Sequence, residues 1–142
     1  MKRILTINFS LIVLSAIMLV SCKAQKMTSD QLYPHTYEIT DIEGKDVSDA
    51  KLTLQVNPET SIISGYAGCN RYSFNYKLEG KTLDLGFASA TKMYCEDGMD
   101  NENLFFQKAA SVTHFENSKE QIIFRNKDGD IVIKAKNTNQ SE

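Results

Sequence analysis

The stretch ISGYAGCNRYSFNY, Ile63 to Tyr76, decides the fold of this chain. Tyr72, Phe74 and Tyr76 alternate with polar residues, and this period of two is typical of a β-strand with one buried face. A Gly-Cys-Asn sequence separates that strand from the apolar run before it. We therefore expect two strands joined by a tight turn at the cysteine, with the aromatic row in the core. The alternative is that the row lines a ligand cleft.

Short alternating runs fill the rest of residues 36–136, and they predict a mainly β domain. The strongest are KLTLQV, TLDLGF, QIIFR and DIVIKA. Asp128-Gly129 between the last two runs predicts a hairpin. Glu79-Gly80 predicts another, in which Leu78 faces Lys81 and residue 90 lies beside Cys69.

One segment has helical rather than β periodicity. Phe105, Ala109 and Val112 recur at helical spacing, which predicts one α-helix over residues 101–112 packed on the sheet. Asp100 is the expected N-cap, with Glu102 in the first turn. The acidic cluster of Asp97, Asp100 and Glu102 could also be read as a calcium site, but it lacks the pattern of an EF-hand loop. Helix capping is the interpretation we favour.

The N-terminus predicts export and lipidation. Lys2 and Arg3 precede an apolar run, which is the pattern of a signal peptide over residues 1–21. The run ends in LVSC, which resembles the bacterial lipobox, so Cys22 is the expected lipidated residue. The alternative is an uncleaved anchor helix. Residues 22–35 are the predicted lipid anchor and tether, and residues 137–142 a disordered tail.

The charge and composition of the mature chain limit the classes of partner that we expect. Without Lys2 and Arg3, the 16 basic residues fall to 14 against 18 acidic ones, so the mature chain has a net charge of −4. No basic stripe is present, which argues against nucleic acid as a partner. The membrane is an expected partner through the lipid. Lys23 after the lipid cysteine and the absence of an acidic run favour the outer membrane, with the domain facing the periplasm.

Export also changes the interpretation of the cysteines. Once Cys22 carries lipid, Cys69 and Cys95 remain as one pair in an oxidising compartment, and we predict a disulfide between them. Closing a 27-residue loop would stabilise the fold by about 3.5 kcal/mol. A redox pair, a metal site and free thiols are weaker alternatives. A zinc site would need about four ligands, and the only histidines are His35 and His114.

The same residues carry a family resemblance. SGYAGCNRYSFNY resembles the signature of META domains, the family of the HslJ-like bacterial lipoproteins, and ATKMYC is similar to the family's second motif. The matching positions are Gly65, Gly68, Cys69, Asn70, Tyr72, Tyr76, Thr91, Met93 and Cys95. The resemblance implies an antiparallel, partly open β-barrel-like sheet with one α-helix. It also implies an envelope protein linked to stress or antibiotic tolerance, from a family that lacks an established catalytic activity. We expect no cofactor.

The sequence predicts the function of this chain in less detail than its fold. No nucleophile elbow, P-loop, zinc-protease or dinucleotide motif occurs, so we expect a binding module rather than an enzyme. Its partner would be an envelope protein or a wall or membrane component. The alternative is a carrier of a small lipid-like ligand in the barrel. The candidate binding patch is Tyr66, Arg71 and Tyr94, because the disulfide would hold both of its loops in one rigid unit.

Overall fold

The computed structural model describes residues 30–140. The predicted signal peptide, Cys22 and residues 141–142 lie outside this range. The described part contains eleven strands and one α-helix, α1 (Met99–Ala109). The strands are β1 (Thr36–Ile42), β2 (Lys45–Asp46), β3 (Thr53–Asn57), β4 (Ile62–Tyr66), β5 (Arg71–Asn75), β6 (Lys77–Glu79), β7 (Thr82–Asp84), β8 (Ala88–Ala90), β9 (His114–Asn117), β10 (Gln121–Arg125) and β11 (Ile131–Asn137).

The strands form a single antiparallel sheet that curls into a half-barrel. Their order is β6-β7-β9-β10-β11-β1-β3-β4-β5-β8, with β2 beside β1. β5 and β6 are separated in sequence only by Tyr76, yet they lie near opposite ends of this order. The sheet must therefore curl until its two ends approach each other. The predicted mainly β fold, with a partly open barrel and one helix, is confirmed.

The concave face of the sheet holds one continuous core. Strand alternation turns Tyr37 and Ile39 of β1 inward, and the same alternation buries one face of β3, β5 and β10. The helix adds Phe105 and Ala109 to this core. The ring of Phe105 lies 4.7 Å from that of Tyr72, centroid to centroid, so α1 closes over the aromatic row of β5.

The predicted hairpin register at Glu79-Gly80 is wrong by two residues. Leu78 pairs with Leu83 instead of Lys81, and the loop is Gly80-Lys81. Gly80 has a φ of 59°, which places the glycine at the first central position of a two-residue hairpin loop. In the separate β5–β8 pair, residue 90 lies opposite Tyr72 and not Cys69. The long alternating run is also divided at Tyr76 into β5 and β6.

The helix begins and ends earlier than predicted. Gly98, with a φ of 102°, occupies the N-cap position, and no side chain caps the helix. Asp100 therefore lies inside the first turn, where a carboxylate still favours the positive end of the helix dipole. After Ala109 the backbone forms a tighter turn, in which the N–H of Val112 donates to the carbonyl of Ala109, three residues earlier. The chain then enters β9.

Both ends of the domain extend beyond the predicted boundaries. Leu32, assigned to the tether, is buried in the core, and Asn117 Nδ2 donates to the Gln31 carbonyl at 2.9 Å. The Tyr37 hydroxyl donates to Asn117 Oδ1 at 3.3 Å. Burial, with a smaller effect of a neighbouring tyrosine, raises the pKa of Tyr37 to about 12. The packed chain therefore begins before Thr36.

At the C-terminus, the first residues of the predicted tail belong to the fold. β11 runs to Asn137, whose N–H donates to the Glu120 carbonyl at 2.8 Å. A short 3-10 helix, Thr138–Gln140, follows, and the Thr138 hydroxyl donates to the Thr36 carbonyl at 3.0 Å. Residues 137–140, which the sequence analysis assigned to a disordered tail, thus lie in β11 and in this 3-10 helix. Among residues 30–140, no helix combines the length and the apolar character needed to cross a membrane.

Candidate functional site

A disulfide joins the turn after β4 to the loop before α1. Cys69 and Cys95 are bonded, with their Cα atoms 5.8 Å apart. This confirms the predicted pairing, although the strand register that carried part of the reasoning was wrong. The bond fixes residues 67–71 against residues 91–98, and these two segments form the candidate site.

Asn70, next to the disulfide, ties the two segments together a second time. Its side chain is 3% exposed and uses all of its hydrogen-bonding capacity. Oδ1 accepts from the Thr91 hydroxyl and from the Met93 N–H, both at 2.7 Å. Nδ2 donates to the Met93 carbonyl at 3.2 Å and to Glu102 Oε1 at 2.9 Å. The amide thus pairs with the backbone of Met93 as a neighbouring strand would.

Glu102 lies in the first helical turn, as predicted, but nothing in the sequence indicated its role in the site. It is only 6% exposed. Its Oε2 accepts from the Asn70 N–H at 2.6 Å, so both carboxylate oxygens bind Asn70. Glu102 therefore anchors α1 to the Gly-Cys-Asn turn. Nothing in the local sequence distinguishes it from Asp97 and Asp100, because the contact depends on long-range packing.

The glycines of the site allow its backbones to approach closely. A Cβ on Gly98 would lie 2.5 Å from the Gly68 carbonyl oxygen, and one on Gly68 would lie 3.1 Å from the Gly98 oxygen. Both residues also have positive φ. In β4, a Cβ on Gly65 would lie 2.0 Å from the Thr53 carbonyl oxygen, which accepts from the Tyr72 hydroxyl at 2.9 Å. The motif glycines are therefore required by packing.

The aromatic row of β5 belongs to the core. Tyr72, Phe74 and Tyr76 are all buried, and the rings of Phe105 and Phe106 pack against the first two. Burial raises the pKa of Tyr72 far above its ordinary value, and that of Tyr76 in the same direction. These contacts favour the core interpretation over a ligand cleft.

The two motifs thus meet in one place, where Gly-Cys-Asn packs against the Thr-x-Met-x-Cys segment. The META domain profile matches residues 30–139, which is most of the chain. The chain belongs to the META domain family. No curated protein sequence matches it.

Solved structures similar to this META domain show the same fold. The NMR structure of a protein from Burkholderia xenovorans is 22% identical with a TM-score of 0.58, and the match covers 75% of this chain and 84% of that one. A second NMR structure is 20% identical with a TM-score of 0.61, covering 82% of this chain and all of that one. The crystal structure of a DUF4847 family protein from Bacteroides vulgatus ATCC 8482 is 8% identical with a TM-score of 0.55, covering 76% and 95%.

The predicted patch residues differ in their exposure. Tyr66 and Arg71 are opposite each other in the β4–β5 pair, and Tyr94 lies in the disulfide-linked loop. Arg71 is exposed and Tyr94 is 84% exposed. Tyr66 is half-buried, and its hydroxyl donates to the Gly68 carbonyl at 2.6 Å. Arg71 and Tyr94 are thus available to a partner, whereas Tyr66 also supports the turn.

Sequence reasoning missed the most exposed apolar residue of the META domain. Among residues 30–140, the large apolar side chains classed as exposed are Phe87 at 99%, Met93 at 63% and Tyr94 at 84%. All three lie in one stretch around β8 and the start of the disulfide-linked loop. Clustered exposed apolar residues are typical of interaction surfaces. Phe87 continues the alternation of Leu83 and Leu85 in the TLDLGF run, and this pattern had predicted that its side chain is buried.

The acidic cluster does not supply the side-chain cap that was expected from Asp100. No side chain caps α1, and Glu102 is bound to Asn70. Within residues 30–140, no group of three or more histidine, cysteine, aspartate or glutamate side chains could hold a metal ion. Asp97 and Asp100 are exposed.

The two histidines lie far apart in the sequence and in different surroundings. His35 packs edge-on against the ring of Tyr37, at 6.0 Å between centroids. His114 is exposed and lines an open cleft of about 570 Å³ together with Glu116 and Arg125. Arg125 Nε donates to Glu116 Oε1 at 3.0 Å, so these two charged side chains of the cleft are paired with each other. Neither histidine belongs to the candidate site.

Proposed function

We propose that this META domain is a non-catalytic binding module of the bacterial cell envelope. Its anchor is a lipid on Cys22, and its location is the outer membrane, with the domain facing the periplasm. The Cys69–Cys95 disulfide supports an oxidising compartment, because such bonds are rare in the cytosol. The LVSC sequence at the end of the apolar run supports the lipid anchor.

One observation carries the binding role. Met93 and Tyr94 are exposed on a loop that the disulfide and Asn70 hold in place. Exposing large apolar side chains to water is unfavourable, and the bonds between Asn70 and both backbone groups of Met93 fix the loop that carries them. A fixed loop also loses little conformational entropy when a partner binds. Tyr94 and Arg71 are residue types enriched at binding hot spots.

The expected partner is another envelope protein or a component of the wall or membrane. The family resemblance adds a role in envelope stress or antibiotic tolerance to this proposal. The alternative function, carriage of a small lipid-like ligand inside the barrel, would need unoccupied apolar space. The concave face is instead occupied by core side chains, with Phe105 of α1 packed onto the aromatic row. The surface patch therefore has the stronger support.

Site-specific photo-crosslinking in cells tests the proposal. A photoreactive phenylalanine derivative in place of Tyr94 should give discrete crosslinked species. The same residue in place of Lys127, which is exposed in the β10–β11 turn, is the matched control. The double variant Arg71→Ala, Tyr94→Ala should lose the envelope phenotype while keeping the stability of the parent protein. Tyr66→Phe, which removes only the hydroxyl bond to Gly68, should keep the phenotype.

Two results would contradict this proposal. Equal crosslinking from positions 94 and 127 would show that the contacts are nonspecific. A stable Arg71→Ala, Tyr94→Ala variant with full function would exclude the patch and direct attention to other surfaces.

A further inference from the structure

β8 is an edge strand whose outer side is unpaired. It ends the strand order and pairs only with β5, with Tyr72 opposite Ala90, Ser73 opposite Ser89 and Phe74 opposite Ala88. Edge strands usually carry a charge, a proline or a bulge that prevents further pairing. The sequence Ala-Ser-Ala has no such protection, and all three residues are exposed.

The hydrogen-bond pattern shows which backbone groups point outward. The Thr91 N–H donates to the Arg71 carbonyl at 3.1 Å, so residues 71 and 91 form a hydrogen-bonded pair. Such pairs alternate with non-hydrogen-bonded ones along an antiparallel ladder. Ser89 therefore faces β5, whereas the N–H and C=O groups of Ala88 and Ala90 face away from the sheet. No strand of residues 30–140 lies on that side of β8 to pair with these four groups.

Side chains around this edge indicate what would bind it. Phe87 is fully exposed at the start of β8, and Met93 and Tyr94 are exposed just beyond its end. Arg71 and Lys92 lie at that same end, and neither side chain has an ion pair or hydrogen bond within residues 30–140. The edge thus offers two free backbone donors, two free acceptors, apolar contacts at both ends and positive charge at one end.

We propose that β8 binds an extended acidic peptide segment of another protein as an added strand. This inference rests on the proposed binding function and specifies its partner. Backbone pairing with Ala88 and Ala90 would provide affinity, and Phe87 would pack on alternate side chains of the added strand. A carboxylate at the end near Arg71 and Lys92 would neutralise their charges. A second copy of this chain is less suited, because its own β8, Ala-Ser-Ala, has no acidic residue to face Arg71 and Lys92.

Proline substitution tests the strand pairing directly. Ala90→Pro removes an outward N–H but none of the bonds to β5, so the edge should tolerate it. Ala90→Val keeps the N–H and is the matched control. Ala88→Pro is the second variant, in case Ala90→Pro disturbs the fold. Circular dichroism and thermal unfolding should show that the variants used retain the parent structure.

The probe is a random peptide library, selected on the purified mature protein in detergent micelles. Selected peptides should be rich in β-branched and acidic residues. Ala90→Pro should bind them about tenfold more weakly, since one lost backbone bond and a displaced strand cost about 1.4 kcal/mol. Ala90→Val should bind within about twofold of the parent protein. Changing Arg71 and Lys92 to glutamate should shift the selection to basic peptides.

The outcomes separate this inference from the proposed function. Selected peptides without acidic residues would overturn it, as would unchanged binding by folded proline variants. Self-association that Ala90→Pro abolishes would identify a second copy as the occupant and would also overturn it. If Arg71→Ala, Tyr94→Ala abolishes crosslinking in cells and the proline variants do not, the binding function stands and strand addition is wrong.

Discussion

Replacing Asn70 with alanine tests whether this side chain holds the site together. The change removes four hydrogen bonds and leaves Glu102 Oε1 buried without its donor. Each neutral bond contributes about 0.5–1.5 kcal/mol, and a bond to a charged group about 1.5–3 kcal/mol. Because the bonds share one side chain and are not additive, we expect Asn70→Ala to lower the free energy of unfolding by about 3–4 kcal/mol. That is a large fraction of the roughly 5–15 kcal/mol available to a small domain.

A double-mutant cycle isolates the contact between Asn70 and Glu102. Glu102→Ala should also be strongly destabilising, since it leaves the Asn70 N–H and one of the two Nδ2 hydrogens without an acceptor. The double variant removes both partners of the side-chain bond and should cost less than the sum of the single variants. The expected coupling is about 1.5–3 kcal/mol, the range for a hydrogen bond to a charged group.

The assay is urea unfolding of the oxidised mature chain, followed by circular dichroism. Asp100→Ala is the matched control, because Asp100 is an exposed acid in the same helical turn. Asp100→Ala should lower the free energy of unfolding by less than about 1 kcal/mol, the size of a helix-dipole effect. A coupling below about 0.5 kcal/mol would refute the reasoning, because distant and independent sites are additive within that limit. Equal costs for Asp100→Ala and Glu102→Ala would refute it as well.

Four further predictions follow from the same structure and from the N-terminal sequence. Cys22→Ser should abolish membrane fractionation and palmitate labelling; unchanged fractionation would indicate an anchor helix. Reducing the Cys69–Cys95 bond should lower stability by about 3.5 kcal/mol, measured by denaturant unfolding with and without dithiothreitol, and non-reducing peptide mapping should recover one cross-linked species. Gly65→Ala should cost about 1–3 kcal/mol or more in the same assay, because its Cβ would overlap a carbonyl oxygen. The pKa of Tyr37 is raised from 10 to about 12, so its contribution to stability should be complete below pH 10 and should be lost as the pH rises towards 12. The Tyr37→Phe variant should lose less stability over that pH range.

The elements predicted well from sequence are those that local patterns determine. Alternation in β5 identified a buried aromatic row, and the helical spacing of Phe105 and Ala109 identified the buried face of α1. The disulfide was predicted because export leaves Cys69 and Cys95 as a pair. The first two inferences used a period of two and a period of 3.6, and the third used the cysteine count of an exported chain.

The features that were missed depend on tertiary contacts. Gly98 replaces the expected Asp100 as N-cap because its backbone packs against Gly68. Glu102 is buried because the Gly-Cys-Asn turn presents donors to it. The hairpin register shifted by two residues because Gly80 takes the first loop position, which the sequence Glu79-Gly80 does not specify. Exposure of Phe87 could not be predicted, because β8 lies at the sheet edge and its face is not covered.

The contacts of the motif residues indicate that they stabilise the fold of this META domain and are not the residues that would contact a partner. Gly65, Gly68 and Asn70 all act inside the protein, through close backbone approach or buried hydrogen bonds. Cys69 bonds Cys95 and is itself buried. Such residues specify a rigid loop pair beside an open sheet edge, but they offer little surface to a partner.

The surface of the site comes mainly from residues outside the motifs. Phe87, Lys92 and Tyr94 are exposed and make none of the contacts that hold the loops together. Substituting them should therefore change what binds while leaving stability within about 0.5 kcal/mol, the usual range for surface changes. Under the proposed binding role, partner recognition and folding would be encoded by different side chains of the same short segment. The motif alone accordingly predicts the fold of this chain and not its partner.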